Sequence, residues 1–117
     1  MATYHIEPER ATLHGHFSRD LPPVLTIDSG DTVVFRTLDA GWHLDRETKF
    51  SPMDRAKDSG HALCGPVAVR GAEPGMTLGI EIKSLVLGSW GWGGWLVAPS
   101  QQTFRAYYRG NCLSLGN

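Results

Sequence analysis

Glycine and proline punctuate this chain about every ten residues, and no stretch between them carries apolar residues at three-and-four spacing. Long helices are therefore ruled out before any composition is consulted, and short strands joined by tight turns remain. Val24-Leu25-Thr26-Ile27 follows a Pro22-Pro23 pair and reads as a strand. Asp28-Ser29-Gly30-Asp31 reads as a turn, because short polar side chains bond their own backbone and glycine accepts a positive φ. Residues 32–38 form the next expected strand, with apolar residues on both faces as in a packed sandwich or barrel. Val67-Ala68-Val69 is another. Glu73-Pro74-Gly75-Met76 predicts a type II turn. Residues 77–83 then alternate, with Leu78, Ile80 and Ile82 on one side and Thr77, Glu81 and Lys83 on the other, which predicts a strand with a bulge or end after Ser84. Residues 39–60 break the alternation and predict a long central loop. Trp90, Trp92 and Trp95 stand among glycines and read as a loop, with Phe104, Tyr107 and Tyr108 on one further strand. The expected fold is all-β, a β-sandwich or jelly-roll-like single domain over residues 1–117.

At 117 residues the chain supports one core without staples. Its formal net charge of −1, with both signs interspersed, gives no electrostatic footprint for nucleic acid and no basic helix for a membrane surface. No apolar run is long enough for a helical span, and the N-terminus does not read as a secretory signal. Two cysteines, Cys64 and Cys112, form no disulfide framework and are expected as free thiols in a reducing, cytoplasmic setting.

Three clusters carry groups that could do chemistry. In His14-Gly15-His16 an extended backbone points both imidazoles to one side, which suits two nitrogen ligands to a metal or two solvated histidines. Asp39, Trp42, His43 and Asp45 lie where the 32–38 strand ends, and a carboxylate beside an imidazole serves a metal or acid–base chemistry; a polar loop is the plainer reading. In Asp58-Ser59-Gly60-His61 the acid could orient the imidazole, or the four residues could simply turn. A copper site from His61, Cys64 and Met76 is rejected, because no histidine follows the cysteine.

Taken together, His14-Gly15-His16-Phe17, Ser29-Gly30-Asp31-Thr32-Val33 with Asp39-Ala40, the unbroken run from Asp58 to Gly75, and Ser89-Trp90-Gly91-Trp92 resemble the N-terminal part of the acetamidase/formamidase family. Residues 65–75 are the most specific element. The resemblance covers residues 5–92, and 93–117 stand as a divergent tail. It implies a β-sandwich-like architecture, associated metal ions, and release of ammonia from short linear amides such as formamide and acetamide. Family members are several hundred residues long, and their later glycine- and glutamate-containing motifs are not in this sequence. The expectation is thus an amidohydrolase-like portion, incomplete as it stands and inactive or weak alone. The alternative is a non-catalytic β-sandwich binding module. By extension of the resemblance, His16, Asp39 and His61 are the expected ligands of a divalent metal, zinc first, with His14 and His43 in reserve. Glu73 is the expected proton shuttle, and Trp90 the wall of a small acyl pocket. The expected partner is a small amide, with a homo-oligomer left open.

Overall fold

The computed structural model describes residues 1–52, 57–97, 102–109 and 112–116, with backbone alone from residue 92 onward. Among these residues there is no helix, and the all-β expectation holds. The chain forms two compact units, Met1–Gly79 and Ile80–Asn117.

The first unit is built from paired short strands. β1 (Thr3–Ile6) runs parallel to β4 (Thr32–Phe35), with Thr3 opposite Thr32 and Ile6 opposite Phe35. β3 (Leu25–Ile27) runs parallel to β6 (Val67–Val69). β2 (Leu13–His14) runs antiparallel to β5 (Leu63–Cys64). Parallel partners need long connections, and here the β1-to-β4 connection carries both β2 and β3.

Turns are where the local sequence acts most directly. Asp31 N–H donates to the Asp28 carbonyl at 3.1 Å with Gly30 at φ 91°. Met76 N–H donates to the Glu73 carbonyl at 3.1 Å with Gly75 at φ 93°, so the expected type II turn is present. The Asp31 carboxylate caps the other end of its turn. It accepts N–H bonds from Ala2 and Asp28, and these hold its pKa below the usual carboxylate range.

The core of this unit gathers Leu13, Leu38 and Trp42, with Leu44, Phe50, Ala62 and Cys64 packed around it. Cys64 is a free thiol whose pKa is raised by burial. Cys112 has no described side chain. The central segment is therefore not an open loop. Its Trp42 is buried to 4% exposure, and an antiparallel bridge joins His43 to Lys49.

Three expectations are corrected. Residues 77–83 belong to no strand, and Ile80 and Ile82 are 78% and 80% exposed. Alternation makes a strand only where a neighbour takes up the backbone bonds, and the described strands supply none here. The 32–38 strand stops at Phe35, and Val34 and Phe35 are exposed, so it is not packed on both faces. The tryptophan/glycine stretch is itself a strand, β7 (Trp90–Val97). In the second unit β7 pairs antiparallel with β8 (Gln102–Arg109), which pairs with β9 (Cys112–Gly116). Glycines weaken a strand but do not forbid one when a ladder satisfies the backbone. The expected strand around Phe104 to Tyr108 is β8.

Candidate functional site

Three segments of the first unit converge: residues 12–16, 39–43 and 57–65. Their approach depends on two glycines. Gly15 N–H donates to the Lys57 carbonyl at 2.8 Å, and a Cβ on Gly15 would come within 2.5 Å of the Asp58 carbonyl carbon. Gly60, at φ 112°, faces Gly15 in return, and a Cβ there would land on the Gly15 carbonyl oxygen. Only glycine at both positions lets the two backbones touch.

The 39–43 segment is wound on itself. Trp42 N–H donates to the Asp39 carbonyl at 3.1 Å, and Trp42 takes a left-handed φ of 70°, rare for a bulky residue. Burial of the indole and a 2.9 Å bond from its Nε1 to the Gly60 carbonyl offset that strain. A 3.4 Å bond from Ala62 N–H to the Ala40 carbonyl adds a second tie to the 57–65 segment.

This winding brings Asp39 and His43 together. Asp39 Oδ1 accepts the His43 backbone N–H at 2.7 Å and stands 3.2 Å from His43 Nδ1; the Asp39 N–H donates to the His43 carbonyl at 2.9 Å. Both side chains are about one quarter exposed, at 22% and 26%. A carboxylate on Nδ1 favours the tautomer whose basic nitrogen is Nε2, the arrangement of an oriented general base. The other carboxylate oxygen, Asp39 Oδ2, is buried without a hydrogen-bond partner among the described residues.

Two further orphaned atoms lie on the neighbouring segment, Nδ1 of His14 and Nδ1 of His16. β2 ends at His14, so the expected continuous strand through His16 gives way to a bend. Burial, with Lys57 and His16 close by, pushes the His14 pKa below its ordinary value of 6.5, against the opposing pull of a hydrogen bond with the Gly65 backbone and of Asp58.

His61 is exposed. The Asp58 carboxylate is buried and pairs with the Arg10 guanidinium at 3.6 Å. Arg10 also bonds the Ser51 carbonyl and lies 5.8 Å above the Phe50 ring. Glu73 sits exposed in its turn. Asp45 caps its own loop, accepting N–H bonds from Glu47 at 2.9 Å and Thr48 at 2.7 Å, which lower its pKa. Trp90 is half-buried at the start of β7, in the other unit. Two imidazole nitrogens and a carboxylate oxygen lacking partners suit zinc chemically. Yet among the described residues no three His, Cys, Asp or Glu side chains gather closely enough to hold an ion.

Arg10, Lys57 and the Gly15–Gly60 contact carry no local signal, since their partners are distant in sequence. A glycine inside each of the two histidine-bearing motifs was the one available hint.

The 117 residues match the Acetamidase/Formamidase family over residues 2–107. They are also similar to a Schizosaccharomyces pombe protein named "Putative formamidase", with 32% identity over 79 residues, 66% of this chain and 19% of that protein. The chain thus spans about a fifth of that relative's length. No solved structure matches it. With nearly its whole length inside the family match, the chain belongs to the acetamidase/formamidase family.

Proposed function

We propose that the chain supplies the proton-handling group of a hydrolase of short linear amides, converting formamide or acetamide to the carboxylate and ammonia. Family membership supports the reaction class, and the Asp39–His43 pair at 3.2 Å is the observation that carries the reading. Amide hydrolysis needs a base to activate water and an acid to protonate the departing nitrogen. His43, oriented by Asp39, performs both in turn: Nε2 takes a proton from water as the hydroxyl adds to the carbonyl carbon, and returns it to nitrogen as the C–N bond breaks. Asp39 steadies the imidazolium formed between the two steps. In this reading His43, a reserve metal ligand in the sequence expectation, replaces the exposed Glu73 as the proton carrier.

Turnover by these residues alone is slow. The tetrahedral oxyanion also needs preorganised donors, which the Asp39–His43 pair does not itself provide. Metal binding at His16, Asp39 and His61 is a separate, weaker part of the proposal. It rests on the orphaned Nδ1 of His16 and Oδ2 of Asp39, while exposed His61 adds little.

The test is ammonia release from formamide and acetamide by the full chain, beside Asp39→Asn and His43→Ala. We expect slow release that falls about 100-fold in either variant. Equal release by all three proteins sinks the reading. Zinc titration by calorimetry addresses the metal: loose binding weakened by His16→Ala is expected, and unchanged binding in that variant removes His16 from the ligand set.

A further inference from the structure

Arg10 stands outside the Asp39–His43 pair, yet its side chain reaches both of the segments that hold Trp42. On one side its guanidinium bonds the Ser51 carbonyl and lies 5.8 Å above the Phe50 ring. On the other, its Nη1 stands 3.6 Å from the buried Asp58 carboxylate. Lys57 Nζ donates to the Arg10 carbonyl at 3.1 Å, which ties the backbone of residue 10 to that second segment as well. Trp42 is bonded by these same two segments. Phe50 N–H donates to the Trp42 carbonyl at 2.9 Å, and Trp42 Nε1 donates to the carbonyl of Gly60, two residues past Asp58, at 2.9 Å. Trp42, at its left-handed φ, in turn closes on the Asp39 carbonyl and precedes His43.

We propose that Arg10 is a positioning residue for the Asp39–His43 pair. By gripping residues 50–51 and Asp58 together, it fixes the spacing of the two supports of Trp42, and with it the turn that sets Asp39 against His43. The inference rests on the reading of His43 as the proton carrier. A bulky residue keeps a left-handed φ only where its surroundings over-determine it, so the placement of residues 39–43 depends on those supports. A guanidinium suits the task. It is planar and carries donors that point several ways, so one group spans a carbonyl and a carboxylate while its face covers a ring. A lysine ammonium is a point charge on a flexible stem and has no such fork. Arg10 remains 41% exposed, so its contacts lie at the edge of the cluster and not within the apolar core.

The experiment compares the full chain with Arg10→Met, Arg10→Lys and, as a control, Arg70→Met, whose parent side chain pairs with Asp28 on the surface of the same unit. Two signals are followed, the His43 ring resonances and the Trp42 indole N–H resonance, assigned by their loss in His43→Ala and Trp42→Phe. Both are read at one pH and well below the melting midpoint of each protein. A residue that only adds stability lowers the midpoint and leaves the folded-state signals in place. We expect both signals to move in Arg10→Met, to move less in Arg10→Lys, and to stay in Arg70→Met. Ammonia release should fall about tenfold in Arg10→Met, through kcat and not KM, as for a base held off its line of approach. Unmoved signals in folded Arg10→Met overturn the proposal; where that variant does not fold, unmoved signals in Arg10→Lys do. Moved signals with release at the parent level, while His43→Ala loses it, also overturn it. Release that survives His43→Ala sinks the proton-carrier reading instead, and the two signals then decide alone whether Arg10 sets the turn.

Discussion

Gly15 and Gly60 set the distance between the histidine-bearing segments, and neither tolerates a side chain. Gly15→Ala pushes a methyl group into the backbone at Asp58, where no flexible side chain can yield. We expect a loss of about 2 kcal/mol or more in urea denaturation, and an unchanged midpoint would refute the close approach. His14 gives a second prediction, for pH. Its pKa is lowered in the folded chain, chiefly by burial, so between that lowered value and 6.5 the unfolded chain binds the extra proton. More protons on the unfolded state make stability rise with pH. His14's contribution is thus complete above pH 6.5 and is lost as pH falls toward the folded value. Denaturation midpoints measured from about pH 7.5 to about 5.5 should decline, and the decline should shrink in His14→Gln. An equal decline in that variant assigns the effect to other groups. Legibility at this scale followed locality. The Asp39–His43 pair was visible because four residues separate its members, and the two open readings of Asp58 to His61, an oriented imidazole or a plain turn, were equally local. The buried Asp58 carboxylate pairs with Arg10, far away in sequence, which no local reading offers.

Turns were the elements read most securely, because a positive φ and a closing bond need only four residues. Gly75 at φ 93° has open space around it, so Gly75→Val tests backbone conformation and not packing. A β-branched residue there should cost more than about 1 kcal/mol, read as a lowered denaturation midpoint. Strands were legible where a partner exists. Leu25–Ile27 and Val67–Val69 were both expected, and they pair with each other. Residues 77–83 show the more regular alternation yet form no strand, because alternation describes side chains while a strand also requires backbone partners. The converse holds for β7, whose glycines hid a segment that its antiparallel partner organises. The 39–50 loop was unreadable as a folded element for a third reason: its anchor is an indole in a left-handed conformation, tied to Gly60. Trp42→Phe keeps the ring in the core but removes that bond. About 1 kcal/mol of stability should be lost, and the His43 ring resonances should move as the Asp39 turn loosens. Unmoved His43 signals would show that the turn holds without the indole.

At the scale of the whole molecule, the all-β class followed from punctuation and missing helical periodicity, but the division at Gly79 did not. That boundary falls inside the best alternating stretch of the sequence, where composition changes least, so no linker signal marks it. Its physical basis is where contacts close. The first unit has its own buried cluster of Leu13, Leu38 and Trp42, and every strand in it pairs within the unit. A unit whose core and strand pairs are internal should fold without the rest. Tryptophan placement makes this measurable, because of the four tryptophans only Trp42 lies in residues 1–79, and the other three are Trp90, Trp92 and Trp95. Fluorescence of a 1–79 chain therefore reports one indole. With Trp42 at 4% exposure, the emission should be blue-shifted relative to the same chain in denaturant, and iodide should quench it poorly. Heating should expose it in one cooperative transition, at modest temperature because so small a core leaves a thin margin. Emission already at the denatured position, or a shift without a cooperative step, would mean that Trp42 reaches its buried place only with help from residues beyond Gly79. The Asp39–His43 turn, which the indole anchors, would then depend on that help as well.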